Sequence, residues 1–158
     1  MAYERRQDGF TVSTDPALLD LDAVHEALAG AYWSQGIPRQ TLERALGGSL
    51  CFGLYAEEEN GRQVGLARVI TDAATFAYLC DVYVLPELRG RGLGKFLLRS
   101  VMEHPDLQGL RRFHLVTRDA HGLYQQAGFT ALASPDRHME IVRPDVYRKP
   151  ERASPVPD

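Results

Sequence analysis

Apolar positions in this chain fall mostly into short alternating runs broken by polar turns, with a few stretches at helical spacing between them. Phe10 to Ser13 alternates like a short strand. Val24, Leu28, Ala31 and Tyr32 recur every three or four positions, as on one helix face, and Asp20 or Asp22 stands where a cap belongs. Gly36 and Pro38 interrupt that pattern; residues 41–46 then read as a second short helix closed by Gly47 and Gly48. Residues 49–56 and 64–71 are two strands joined by a polar turn ending in Asn60-Gly61, a pair that suits the positive backbone angles of a hairpin. After Asp72-Ala73-Ala74 comes a strand over 75–85. A helix to about residue 103 follows, with Leu93, Phe96, Leu97 and Val101 as its buried stripe. Residues 112–117 predict a strand, 120–126 a short helix capped by Asp119 and ended by Gly128, and 139–142 a last strand.

This order predicts one α/β domain: a mixed, mostly antiparallel sheet flanked by helices, with a right-handed strand–helix–strand crossover in its second half. The domain takes in residues 1–143. Proline and charge dominate 144–158, which reads as a loosely ordered tail.

Composition narrows the function by exclusion. A formal charge of −3 over 158 residues gives no general pull toward nucleic acid or an anionic membrane, and no apolar run reaches membrane-spanning length. Cys51 and Cys80 sit in apolar runs as buried thiols. The histidines His25, His104, His114, His121 and His138 have no ligand spacing, so no metal is expected. Without a signal peptide, the expected compartment is the cytoplasm.

Positive charge is local instead. Arg89, Arg91, Lys95 and Arg99 surround the run Leu-Arg-Gly-Arg-Gly-Leu-Gly-Lys-Phe-Leu at 88–97, where a strand passes through glycines into a helix. The first turn of a helix carries unpaired N–H groups and partial positive charge, so phosphate binding is the default reading. A Walker loop requires Ser or Thr after Gly94-Lys95, and Phe96 stands there; nucleotide binding by this loop would lack its magnesium ligand. The dinucleotide pattern fails because Lys95 takes the third glycine's position.

Arg89-x-x-Gly92-x-Gly94 resembles the pyrophosphate loop of the GCN5-related N-acetyltransferase (GNAT) superfamily, and the resemblance extends from about Gly48 to Phe129. It implies acetyl-CoA as cofactor, with Arg89, Gly90, Arg91, Gly92, Leu93, Gly94 and Lys95 at its pyrophosphate. It also implies that Val82, Tyr83 and Val84 present backbone groups to the pantetheine arm. The segment Leu123-Tyr124-Gln125-Gln126-Ala127-Gly128-Phe129 resembles the family's Leu-Tyr-x-x-x-Gly-Phe signature, which makes Tyr124 the general acid. Thr117 occupies the position where many members contact the cofactor through asparagine. Cys80 stands where polyamine-acting relatives place a glutamate base, so the base is unassigned.

Asp81 is either a carboxylate beside the pocket or the partner of an arginine on the far face, since neighbouring strand residues face opposite sides. His121 is a proton relay one helical turn before Tyr124 or a surface histidine. Tyr32 and Trp33 border the acceptor pocket, or Trp33 plugs the core edge; Asp72 and Tyr78 are candidates for the other wall. The resemblance thus implies transfer of acetyl from acetyl-CoA to a primary amine of a small molecule or protein, often by a homodimer. The alternative is a non-catalytic acyl-CoA-binding or regulatory module of the same fold.

Overall fold

A computed structural model describes residues 2–148. Six strands lie across one sheet in chain order: β1 (Glu4–Gln7), β2 (Phe10–Ser13), β3 (Leu50–Ala56), β4 (Arg62–Thr71), β5 (Phe76–Val84) and β6 (Arg112–Leu115). Strands β1 to β5 are antiparallel neighbours, while β5 and β6 run parallel. Parallel neighbours need a crossover, which α3 (Leu93–Met102) supplies. Helices α1 (Leu21–Ala29) and α2 (Arg39–Gly47) precede β3, and α4 (His121–Gln126) follows β6. The expected mixed α/β architecture is what forms.

Strand alternation sorts the core into two layers. Phe52, Leu54, Val69, Ala77 and Leu79 face one side, where Leu93, Phe96, Leu97 and Val101 of α3 and Tyr124 of α4 pack on them. Cys51 and Leu66 face the other side, against Val24 and Leu28 of α1 and Leu42 and Leu46 of α2. Leu97, Leu28 and Leu42 are fully buried, each contributing roughly 2 kcal/mol of apolar transfer.

Several elements differ from the sequence expectation. Strand β1 was not expected, because Glu4-Arg5-Arg6-Gln7 has no apolar alternation; it is an exposed edge strand, a position that tolerates charge. Asp8 and Gly9 both adopt positive φ, 51° and 83°, and turn it into a hairpin with β2. The expected strand at 139–142 does not form: Met139, Ile141 and Val142 are 98%, 83% and 67% exposed. A β-prone run without a paired edge has nothing to hold it extended.

Local details also shift. Asp20 caps α1 by accepting the Ala23 N–H at 3.1 Å, and Ala31 and Tyr32 lie beyond the helix end. Asp119 does not cap α4. Ala120 holds that position, and Thr117 Oγ1 accepts its N–H at 3.0 Å. Tyr147 packs against the α1–α2 layer. The rest of the expected tail, 149–158, lies outside the described residues. Among the described residues no helix is long and apolar enough to cross a membrane, and no cluster of three metal-ligating side chains occurs.

One irregularity decides the site. Leu66 stands opposite Tyr83 and Arg68 opposite Cys80, so Asp81 and Val82 together face the single residue Ala67. This is a β-bulge, with Asp81 in the left-handed region at φ 52°. Beside it, a Cβ on Gly65 would stand 2.7 Å from the Tyr83 carbonyl oxygen, so only glycine lets β4 and β5 close up there.

Candidate active site

Strands β5 and β6 pair only where residues 76–79 meet 112–115. Past Leu79 and Leu115 that pairing ends, while β5 stays bonded to β4 through Val84. The Leu85 N–H donates to the Val64 oxygen at 2.9 Å, so the preceding Val84 N–H points away from β4 into the gap. Backbone groups of β5 are thereby available to an extended ligand.

At the end of that gap the chain enters α3. Gly90 and Gly92 have φ of 81° and 77°, and a Cβ on either would meet nothing within 4 Å. Gly92 is the N-cap and offers no side chain. The first intrahelical bond runs from the Phe96 N–H to the Gly92 oxygen at 3.1 Å, leaving the N–H groups of Leu93, Gly94 and Lys95 without intrahelical acceptors. Open space, aligned donors and the helix dipole together fit a pyrophosphate. Arg89, Arg91 and Lys95 flank the turn, with the Arg91 guanidinium 5.6 Å from the Phe10 ring centre. Arg99 is drawn off instead: it bonds to Gln7 and lies over Phe96.

Tyr124 is nearly buried and packs edge-on against Phe129. Burial, then the nearby Tyr32 phenol, raises its pKa, so it is a proton donor at neutral pH. It lines a cavity of about 450 Å³ between the diverging strand ends, shared with Tyr32, Trp33, Tyr78, Asp81 and Thr117.

Residues 51–131 match the family described as Acetyltransferase (GNAT) domain. The candidate acetyltransferase FG08082 of Gibberella zeae is 44% identical over 135 residues, 73% of this chain and 75% of that protein. The chain belongs to the GNAT acetyltransferase family. The crystal structure of a candidate GNAT acetyltransferase from Xanthomonas campestris pv. campestris superposes with a TM-score of 0.86 at 51% identity, covering 91% of this chain and all of that one. Rv2747 from Mycobacterium tuberculosis, solved in complex with CoA, shares the fold at a TM-score of 0.60 and 21% identity, over 77% of this chain and 72% of its own.

Within this GNAT fold the expected acceptor residues divide. Tyr32, Trp33, Tyr78 and Asp81 meet at the cavity. Asp72 does not: its carboxylate is spent in the β4–β5 turn on the Thr75 hydroxyl at 2.6 Å and the N–H groups of Ala74, Thr75 and Phe76. His121 lines a neighbouring cavity of about 340 Å³, which shares Leu115, Val116, Thr117 and Tyr124 with the first. Asp81 lies on the cavity side and is paired with an arginine there rather than on the far face. It lines the cavity, and its Oδ2 accepts from Arg68 Nε at 2.7 Å, both side chains being largely buried.

The bulge explains why. Alternation separates Cys80 from Asp81, but the extra residue and the left-handed turn bring both beside Arg68. Burial pushes the Cys80 thiol up to about 12, so it stays protonated at neutral pH and is no substitute for a carboxylate base.

Two arginines at or behind the cavity were not expected from the sequence. Arg68 had a signal, being the one charge within the apolar run of β4. Arg118 stands 3.7 Å over the Tyr32 ring centre at the cavity rim, a contact that depends on where two loops meet.

Proposed function

We propose that this chain is an N-acetyltransferase that moves an acetyl group from acetyl-CoA to a primary amine of a small molecule or protein by direct attack on the thioester. The observation that carries the reading is the meeting, along one strand gap, of an anion-binding helix start, an open β5 edge and a protonated tyrosine. The CoA complex of Rv2747 supports the choice of cofactor. Acetyl-CoA, when bound, supplies the acetyl group already activated as a thioester.

The N–H groups at Leu93, Gly94 and Lys95 hold the pyrophosphate across Gly90 and Gly92, with Arg89, Arg91 and Lys95 supplying charge. Val82, Tyr83 and Val84 pair their backbone with the amide-rich arm as with an added strand, and an N–H of that stretch polarises the acyl carbonyl. Thr117, whose oxygen is used by Ala120, keeps its hydroxyl hydrogen for the same arm. Once the neutral amine nitrogen had bonded to the acyl carbon, Tyr124 would give its phenolic proton to the sulfur as the C–S bond breaks and coenzyme A leaves as the thiol. Asp81 has both oxygens engaged by Trp33 and Arg68, so water at the open mouth takes the proton that the amine loses before its neutral nitrogen attacks.

Titration calorimetry with acetyl-CoA, coenzyme A and ATP, followed by thiol-release assays with amines, tests the reading. Binding of both coenzyme A species but not ATP, with amine-dependent thiol release, is expected. Binding without release from any amine would favour the non-catalytic module. No binding at all would reduce the glycine turn to a structural one.

A further inference from the structure

The acceptor end of the cavity carries two large aromatic rings that the core does not need. Tyr32 is 52% exposed and Trp33 45% exposed, both beyond the end of α1. Apolar rings left in water are held in place only if something other than burial fixes them. Polar contacts do so here. The Trp33 indole N–H donates to Asp81 Oδ1 at 2.8 Å, and Tyr32 stands edge-on to Trp33 at 5.0 Å with the Arg118 guanidinium over its face. The segment Tyr32–Trp33 is thus pinned across the cavity to the β5 bulge.

Charge in the lining is already balanced. Asp81 gives one oxygen to Trp33 and the other to Arg68, and Arg68 also donates to Ser49 at 3.0 Å. At the rim Arg118 pairs with Asp119 at 3.4 Å. Among the described residues, the cavity interior therefore offers no free carboxylate to the second cation of a polyamine or a lysine-rich peptide, and at the exposed rim Asp119 stands beside the opposing charge of Arg118. What the cavity presents is aromatic surface from Tyr32, Trp33 and Tyr78, in a volume of about 450 Å³.

We infer that the acceptor is a primary amine borne on a flat, otherwise uncharged aromatic body that seats against Trp33, and that Asp81 is the positioning residue that holds the indole there. The inference rests on the acetyltransferase reading for the transfer step, but not for the binding.

Trp33 is the only tryptophan, so its emission reports this site directly. The full chain is titrated with phenethylamine and with spermidine under excitation selective for tryptophan, and acetyl transfer to each is measured with saturating acetyl-CoA. A saturable emission change with phenethylamine and none with spermidine is expected, with kcat/KM about tenfold higher for the aromatic amine. Trp33→Phe keeps a ring but loses the N–H; it should raise the amine KM about fivefold, within the range of one lost polar contact, and leave the acetyl-CoA KM unchanged. Asp81→Asn should shift the Trp33 emission maximum of the free protein; an unmoved maximum removes Asp81 from the positioning role.

Transfer to spermidine in preference to phenethylamine, or transfer with a silent Trp33, overturns the inference and leaves the acetyltransferase standing. A saturable Trp33 response with no transfer to any amine supports the aromatic site and sinks the transferase reading instead. Neither response nor transfer defeats both.

Discussion

Tyr124 and Asp72 carry opposite pKa shifts, and the causes differ: burial for the proposed acid, hydrogen bonds within a loop for the carboxylate. Burial raises Tyr124, which keeps the acid form in place. Removing its hydroxyl in Tyr124→Phe should lower kcat by about 100-fold, the usual share of a positioned acid, with coenzyme A affinity unchanged by calorimetry. An unaltered kcat across pH would take the acid role from it. Asp72 is lowered, first by the Thr75 hydroxyl and then by the backbone N–H groups of Thr75, Ala74 and Phe76. A depressed carboxylate stabilises the fold above its unfolded value of 3.8, and that stability is lost as pH falls through the lower folded value. Asp72→Asn should therefore depress Tm at neutral pH, with the gap to the parent closing in strong acid. Gly92 is legible in the sequence as part of a turn. Its φ of 77° with open space beyond adds that Gly92→Ala should cost only backbone strain, roughly 1 kcal/mol. Gly92→Glu should abolish coenzyme A binding by placing negative charge against the pyrophosphate.

The β5 bulge is the element whose geometry the sequence pattern misreads. Period-two alternation puts Cys80 and Asp81 on opposite faces, and nothing local to Leu79-Cys80-Asp81-Val82 announces an extra residue. The bulge is set by the pairing with β4, where Gly65 allows the Tyr83 carbonyl to come close. Gly65→Ala should push the strands apart and lower stability by about 1–3 kcal/mol, as overpacking does, and it should impair acetyl transfer along with folding. Asp81 and Arg68 test the same element electrostatically. Their side chains are 9% and 16% exposed, so Asp81→Asn, which tolerates the left-handed backbone, strands a charged guanidinium at a cost of about 3 kcal/mol. Adding Arg68→Met should recover most of that loss in denaturant melts, because the double variant leaves no unpaired charge. Failure to recover would assign the loss to the backbone rather than to the ion pair.

At the scale of the whole molecule, two parallel strands part company past Leu79 and Leu115 and leave an edge of β5 open. The open β5 edge predicts that the Val82 and Val84 amides exchange readily with deuterium in the free protein and become protected on adding acetyl-CoA; protection already present without it would close the gap to the cofactor. The chain's own order of residues determined the sheet's class, both helical layers, the glycine turn and the short helix that carries Tyr124, because each is written in local terms: an alternating run, a 3.6-residue stripe, a glycine where φ turns positive, a glycine that ends a helix. Tertiary structure alone decided the rest. It left 139–142 unpaired although β6 keeps a free edge, spent Asp72 on its own loop, and set His121 on the neighbouring cavity that shares Tyr124. It also joined Trp33 to Asp81 across 48 residues and set Arg118 on Tyr32. Those outcomes depend on which strands pair and in what register, and that is settled by the packing of the sheet as a whole rather than by any segment within it.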